Sequence, residues 1–247
     1  MLPILNIGPF AIQLPGLVIL IGVWLGLSLA ERLTRIITAS DLYNLVLISL
    51  FFGVVGARLG YVIEYWNDFS DNPLNIFSLN LDMFNYYAGI GSSLIAAIIY
   101  GQRKQLKLWS TLDALTPFFA VLLLAIGISH LASGNAFGAP THLPWSIYLW
   151  GTQRHPTQIY EIILSTFTLV LVIIWSRKPP TKIDGILFLG FMALTASTHL
   201  LIEAFRGDSN LTIFDIRTAQ IVTWLILAIS LWAIDKRLAG IKISIDE

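Results

Sequence analysis

Seven stretches of this chain are apolar enough, and close enough to 20 residues long, to be read as membrane-crossing helices: residues 11–30, 42–65, 86–101, 113–134, 157–176, 185–205 and 217–235. Hydrocarbon offers no water to pair backbone N–H and C=O groups, so such segments must satisfy them internally as helices. The predicted fold class is therefore all-α, a polytopic membrane protein of seven transmembrane helices. Composition agrees: 56% of the 247 residues are hydrophobic and 12% charged, against about 25% charged in an ordinary soluble domain. The stretch 86–101 is the shortest, and reads as tilted, broken or partly re-entrant. The connections are too short for a second soluble domain, which predicts one membrane domain over 1–247. The opening residues carry no Lys or Arg ahead of an apolar run and do not read as a cleavable signal.

Charge excludes one class of partner and orients the chain. Fifteen Lys and Arg balance fifteen Asp and Glu, so no basic field invites nucleic acid. Eleven of the fifteen cations fall after alternate spans: Arg32, Arg35, Arg103, Lys104, Lys107, Arg177, Lys178, Lys182, Lys236, Arg237 and Lys242. The other connections hold Asp68, Asp71, Asp82, Asp208 and Asp215. Cations are retained on the cytoplasmic side, which predicts an outside N-terminus and a cytoplasmic C-terminus. Cysteine is absent, so any thiol that reacts here has to come from elsewhere.

Direction gives depth. Arg58 and Glu64 fall in the outward third of the second span, His130 near the outer end of the fourth, and Glu161 one turn into the fifth. His199 and Glu203 lie near the outer end of the sixth, with Arg206 just beyond. Ionisable groups inside a bilayer cost several kcal/mol unless they pair or line a wet cavity, so a set gathered at one depth marks a candidate site. The expectation is that Arg58, His130, His155, Glu161, His199, Glu203 and Arg206 meet in one cavity of the outer half. Gly53, Gly56 and Gly60 beside Arg58 have the small-residue spacing that lets another helix come close. Two histidines and one carboxylate are too few to propose a metal.

The segment Arg154 to Glu161, RHPTQIYE, resembles the corresponding stretch of the prolipoprotein diacylglyceryl transferases. GARLGY from Gly56, DNPL from Asp71, IEAFR from Ile202 and the opening NIGPFAIQLPGL agree with that family in order along the chain. The resemblance implies a multi-pass enzyme of the bacterial cytoplasmic (plasma) membrane. It would move the diacylglyceryl group of phosphatidylglycerol to the lipobox cysteine in the signal peptide of a prolipoprotein, releasing glycerol phosphate. No cofactor is implied. The resemblance assigns substrate binding to Arg58, Tyr61, Tyr87, Asn135, Arg154, His155, Gln158, Glu161 and Arg206, with Arg58, Arg154 and Arg206 as a phosphate clamp. Pro156 is expected in the first turn of its helix, and Glu161 to face inward with an Arg as donor partner.

The chain departs from the family pattern at several of these places. The family's histidine of the third span falls at Tyr87, and the Arg, Asn and Glu of its fourth-span signature fall at Gly127, His130 and Asn135, while Gly134 and Gly138 are kept. The family's Arg four residues before Glu203 is His199, and its Tyr before Gly16 is Pro15. Two readings follow. In one the site is rewired, with catalysis by His130, His199 and Glu203, the last setting the tautomer of His199. In the other the chain keeps the fold and binds lipid or joins a complex without transfer.

Overall fold

The computed structural model describes residues 4–7, 10–34, 36–70, 73–77, 83–177, 183–209 and 217–245. Arg35, Asp71, Asp82, Lys178, Lys182 and Asp215 lie outside the described residues, as does the start of DNPL. Among the described residues the regular elements are helices and two short hairpins, and the chain divides into two compact units, 1–35 with 112–247, and 36–111. Among the described residues, six helices are long and apolar enough to cross a membrane: α1 (Leu14–Leu33), α2 (Ala39–Glu64), α5 (Leu108–Ser133), α6 (Thr157–Ser176), α7 (Ile186–Glu203) and the Thr218–Ala239 part of α8 (Thr218–Ile245). The stretch predicted at 86–101 is also a helix, α4 (Tyr86–Arg103), but its Tyr, Gly, Ser and Gln residues keep it out of that group.

In the first unit the chain opens with antiparallel strands β1 (Ile4–Ile7) and β2 (Phe10–Gln13). The first span therefore begins later than residue 11, at Leu14, where Pro15 occupies the opening turn and forfeits no helical hydrogen bond. Gly22 and Gly26 let α1 lie directly on Ala125 and Phe118 of α5. Ala120, Val172 and Phe191 form a buried cluster where α5, α6 and α7 meet, flanked by Phe119, Leu123, Leu169, Phe188 and Met192. The start of α7 is held from α5: the Asp113 carboxylate accepts from the backbone N–H of Gly185 at 2.5 Å and of Phe188 at 2.8 Å. That supplies partners for helix N–H groups which have none within their own turn, and Gly185 turns into the helix at φ 91.

Between α5 and α6 the chain makes a second hairpin, β3 (Ile147–Leu149) and β4 (Thr152–Arg154). Its two-residue turn has Trp150 at φ 52 and Gly151 at φ 78, the left-handed pair that matches strand twist. Nothing in the apolar patterning announced this element.

In the second unit α2 and α4 pack side by side through small residues. Gly53 faces Ser93 and Gly89 faces Ala57, while Gly56 and Gly60 face Ser92 and Ala88 so closely that neither could carry a Cβ. This is the approach that the glycine spacing on α2 predicted. Asn85 caps α4, accepting from the N–H of Ala88 at 3.0 Å and donating to Glu64 at 2.8 Å. A short α3 (Trp66–Ser70) and a 3-10 turn (Pro73–Phe77) follow α2.

Candidate functional site

Polar residues of the first unit gather at one end of α5, α6 and α7. Glu161, in the second turn of α6, is 5% exposed, and its Oε2 lies 2.8 Å from Nδ1 of His130 on α5. Glu161 thus faces inward as expected, but its partner is a histidine and not an arginine. The reason lies one turn back on α5. Gly127 has no side chain, and a Cβ there would stand 3.3 Å from Glu161 Cγ and 3.3 Å from Ile162 Cγ1, so the Glu161 stem lies against the bare backbone and its carboxylate reaches the imidazole.

His199, on α7, lies within electrostatic reach of Glu161, Arg206, Glu203 and His130. The expected pairing of Glu203 with His199 is not made among the described residues. Glu203 is buried, accepts from the hydroxyl of Ser209 and lies 3.8 Å from Nε of Arg206. Arg206 places its fork on Asp208, Nε to Oδ1 at 2.9 Å and Nη2 to Oδ2 at 3.1 Å. Burial works to lower the pKa of Arg206, but the hydrogen bond and charge of Asp208, with Glu203 behind them, leave it raised. Sequence reasoning passed over Asp208 and Ser209, which looked like loop residues. Their spacing from Arg206 and Glu203 was the available signal.

RHPTQIYE builds the frame around this cluster. Pro156 is the residue that caps α6, one position before the first turn in which it was expected. Thr157 Oγ1 donates to the carbonyl of Ala136 at 2.6 Å, and Gln158 Nε2 to that of Asn135 at 2.9 Å. Both side chains are fully buried, so Gln158 fastens the backbone at Asn135, whose own side chain is exposed. The backbone N–H of His155 donates to Ala139 at 3.0 Å, and its ring packs on Phe205 at 5.1 Å. Arg154 donates from Nε to Leu149 at 3.1 Å and from Nη1 to Gly138 at 3.2 Å, and lies 4.8 Å over the ring of Phe137. Gly138 is obligatory, because a Cβ there would strike the His155 carbonyl. Backbone bonds from Ala139 to Phe205 (2.8 Å) and from Gly207 to Phe137 (2.9 Å) tie the same loop to the end of α7.

The second unit holds Arg58, Tyr61 and Tyr87. Arg58 is buried and donates to three backbone carbonyls: Nε to Ile76 at 2.8 Å, Nη1 to Met83 at 2.8 Å and Nη2 to Asn75 at 2.5 Å. Phe69 and Phe84 flank its guanidinium at 5.4 and 5.7 Å. Its inward orientation agrees with the sequence reading, yet these bonds make it a fastener of the segment after α3. Tyr61 stacks on Tyr65 at 4.6 Å and lines a small cavity with Asp68, Phe69, Asn75 and Met83. Tyr87 is exposed and stacks on Tyr86 at 4.1 Å.

Comparison with known proteins accounts for this framework. The sequence model of the prolipoprotein diacylglyceryl transferase family matches residues 3–234, through both units. Relatives named phosphatidylglycerol–prolipoprotein diacylglyceryl transferase include one from Finegoldia magna, 32% identical over 211 residues, covering 84% of each chain. Another, from Nostoc sp., is 30% identical over 246 residues, covering 92% of this chain and 86% of the relative. A third, from Clostridium botulinum, is 31% identical over 242 residues, covering 93% and 94%. With a family match over nearly its whole length and relatives of this identity along both units, the chain belongs to the prolipoprotein diacylglyceryl transferase family.

Proposed function

We propose that this chain transfers the diacylglyceryl group of phosphatidylglycerol to the lipobox cysteine of a prolipoprotein signal peptide, in the cytoplasmic membrane of a bacterium. The observation that carries the reading is the gathering of His130, Glu161, His199, Glu203 and Arg206 at one end of three membrane-length helices. The reaction asks for a base to take the thiol proton and for donors that hold the leaving phosphate as its charge grows. His199 and Arg206 supply the phosphate side together with Arg154. Among the described residues, Nη2 of Arg154 and Nη1 of Arg206 make no hydrogen bond, leaving one nitrogen of each for a phosphate oxygen. Tyr61 and Tyr87 contact the lipid, and Arg58 acts on substrate through the segment it fastens. Asn135, His155 and Gln158 shape the loop over the site.

The topology that goes with this activity has seven spans, an outside N-terminus and the cluster in the outer half of the membrane. The bias of the cations supports it. So does α4, whose Ile90, Leu94, Ile95, Ile98 and Ile99 are exposed in the chain alone, as a lipid-facing side would be.

The test is purified protein in phosphatidylglycerol vesicles with a lipobox peptide. The expected result is a peptide whose mass rises by one diacylglyceryl group, with release of glycerol phosphate. The substitutions at Gly127, Asn135 and Tyr87 favour the second reading, a lipid-binding member without transfer. Protein that binds phosphatidylglycerol and leaves the peptide unmodified establishes that reading instead.

A further inference from the structure

Resting on the transferase reading, we propose that Glu161 is a positioning residue that fixes His130 as the base for the thiol, so that a histidine–carboxylate pair removes the proton in this chain. The four histidines differ in what holds their rings. His142 is exposed on the loop between α5 and α6. His155 has its Nδ1 buried without a partner among the described residues and its ring against Phe205. His199 has no hydrogen bond among the described residues, and Glu203 beside it is taken by Ser209 and Arg206. Among the described residues His130 is the one with a carboxylate on a ring nitrogen, Nδ1 to Glu161 at 2.8 Å.

That contact decides the tautomer. With Nδ1–H donating to the carboxylate, the lone pair of the neutral ring is on Nε2. Nε2 makes no hydrogen bond among the described residues, and the His130 side chain is 30% exposed, against 6% for that of Glu161. The buried member of the pair is the anchor, and the accessible one carries the free nitrogen. Gly127 belongs to the arrangement, since a side chain there would crowd Glu161 Cγ at 3.3 Å and contest its place beside His130. Glycine at 127 and histidine at 130 are thus mutually compatible: the one leaves the space beside Glu161 that its contact with the other uses.

The step balances as follows. The thiol proton passes to Nε2 of His130 while its electron pair stays on sulfur. The thiolate bonds to the terminal glyceryl carbon of the lipid, and the C–O bond to phosphate breaks with its electron pair on the phosphate oxygen. The proton on Nε2 leaves with glycerol phosphate or to water. Nδ1–H stays on Glu161 throughout, and the carboxylate stabilises the imidazolium formed on the way.

Three measurements on the full chain decide it. In the vesicle assay, His130→Asn keeps an amide to hydrogen-bond Glu161 but holds no base, and transfer should fall about a hundredfold or more. Glu161→Gln keeps an acceptor and removes the charge. Its kcat should fall about tenfold or more with KM for phosphatidylglycerol within about twofold, a split that mere loosening of the helices does not produce. Nitrogen-15 spectra of the histidine-labelled wild type should show the neutral form of the His130 ring with its proton on Nδ1 and not on Nε2, a readout that needs no variant to fold. Wild-type transfer with either variant within threefold of it, or a neutral His130 ring protonated on Nε2, overturns the pair while leaving the transferase reading intact. Wild-type protein without transfer ends both.

Discussion

A buried carboxylate has to find a donor, and at residue 161 the choice of donor depends on what stands one turn away on another helix. With glycine at 127, Glu161 reaches His130; with a long cation at 127, it would not need to. Gly127→Arg is therefore not a repair in this background. The guanidinium would take the Glu161 carboxylate and break its contact with His130, so the variant should lose transfer about tenfold or more relative to wild type in the vesicle assay, with the His130 Nδ1–H signal lost. Equal or faster transfer by Gly127→Arg would mean that the Glu161–His130 contact is incidental. Arg58 shows the same dependence on surroundings from the other side. The family resemblance assigned it to a phosphate clamp, but three backbone carbonyls meet it first. An arginine inside a membrane satisfies its donors with whatever acceptors the fold brings within reach.

Helices in this chain meet through residues too small to hold them apart. In lipid the apolar effect does not press helices together, and close van der Waals approach takes its place. On α2, Gly56 stands against Ser92 and Gly60 against Ala88, with no room for a Cβ at either. Gly56→Leu should separate α2 from α4 and destabilise the 36–111 unit by about 1–3 kcal/mol, the usual cost of overpacking. It should appear as an earlier unfolding midpoint in a detergent titration and as faster proteolysis near Asn85, whose N–H donates to Ala57 on α2 at 2.9 Å. An unchanged midpoint would show that the two helices have slack that the glycines do not indicate. The start of α7 follows a different rule, being set by a carboxylate 72 positions earlier in sequence, Asp113, on Gly185.

For the whole molecule, α4 decides on which face of the membrane its two flanking segments lie. If α4 crosses, Asn67 and Lys104 lie on opposite faces of the membrane, and if it does not they share one. The chain has no cysteine, so single cysteines can be introduced without background. A membrane-impermeant maleimide added to intact cells should label Asn67→Cys and His142→Cys and leave Lys104→Cys unlabelled until the cells are opened. Labelling of Lys104→Cys as fast as Asn67→Cys would reduce the count to six spans. The other six long helices have the length and apolarity of membrane spans.

What the sequence determined alone is what depends on neighbours along the chain. The membrane class, the presence of the six strongly apolar helices, though α5 begins before the expected 113 and α8 runs past the expected 235 to Ile245, and the glycine face of α2 all follow from composition and spacing read locally. RHPTQIYE was legible as a motif, and the inward turn of Glu161 followed from the cost of leaving a carboxylate in lipid. Tertiary structure alone decided the partners: His130 for Glu161 across 31 positions, Ser209 and Arg206 for Glu203, and backbone carbonyls for Arg58. It also decided that the polar residues of RHPTQIYE fasten a loop, and that a hairpin with Trp150 and Gly151 at its turn stands between α5 and α6. A hydrogen bond is satisfied by whichever group lies within about 3 Å, and chains far apart in sequence come that close only when the helices carrying them have packed.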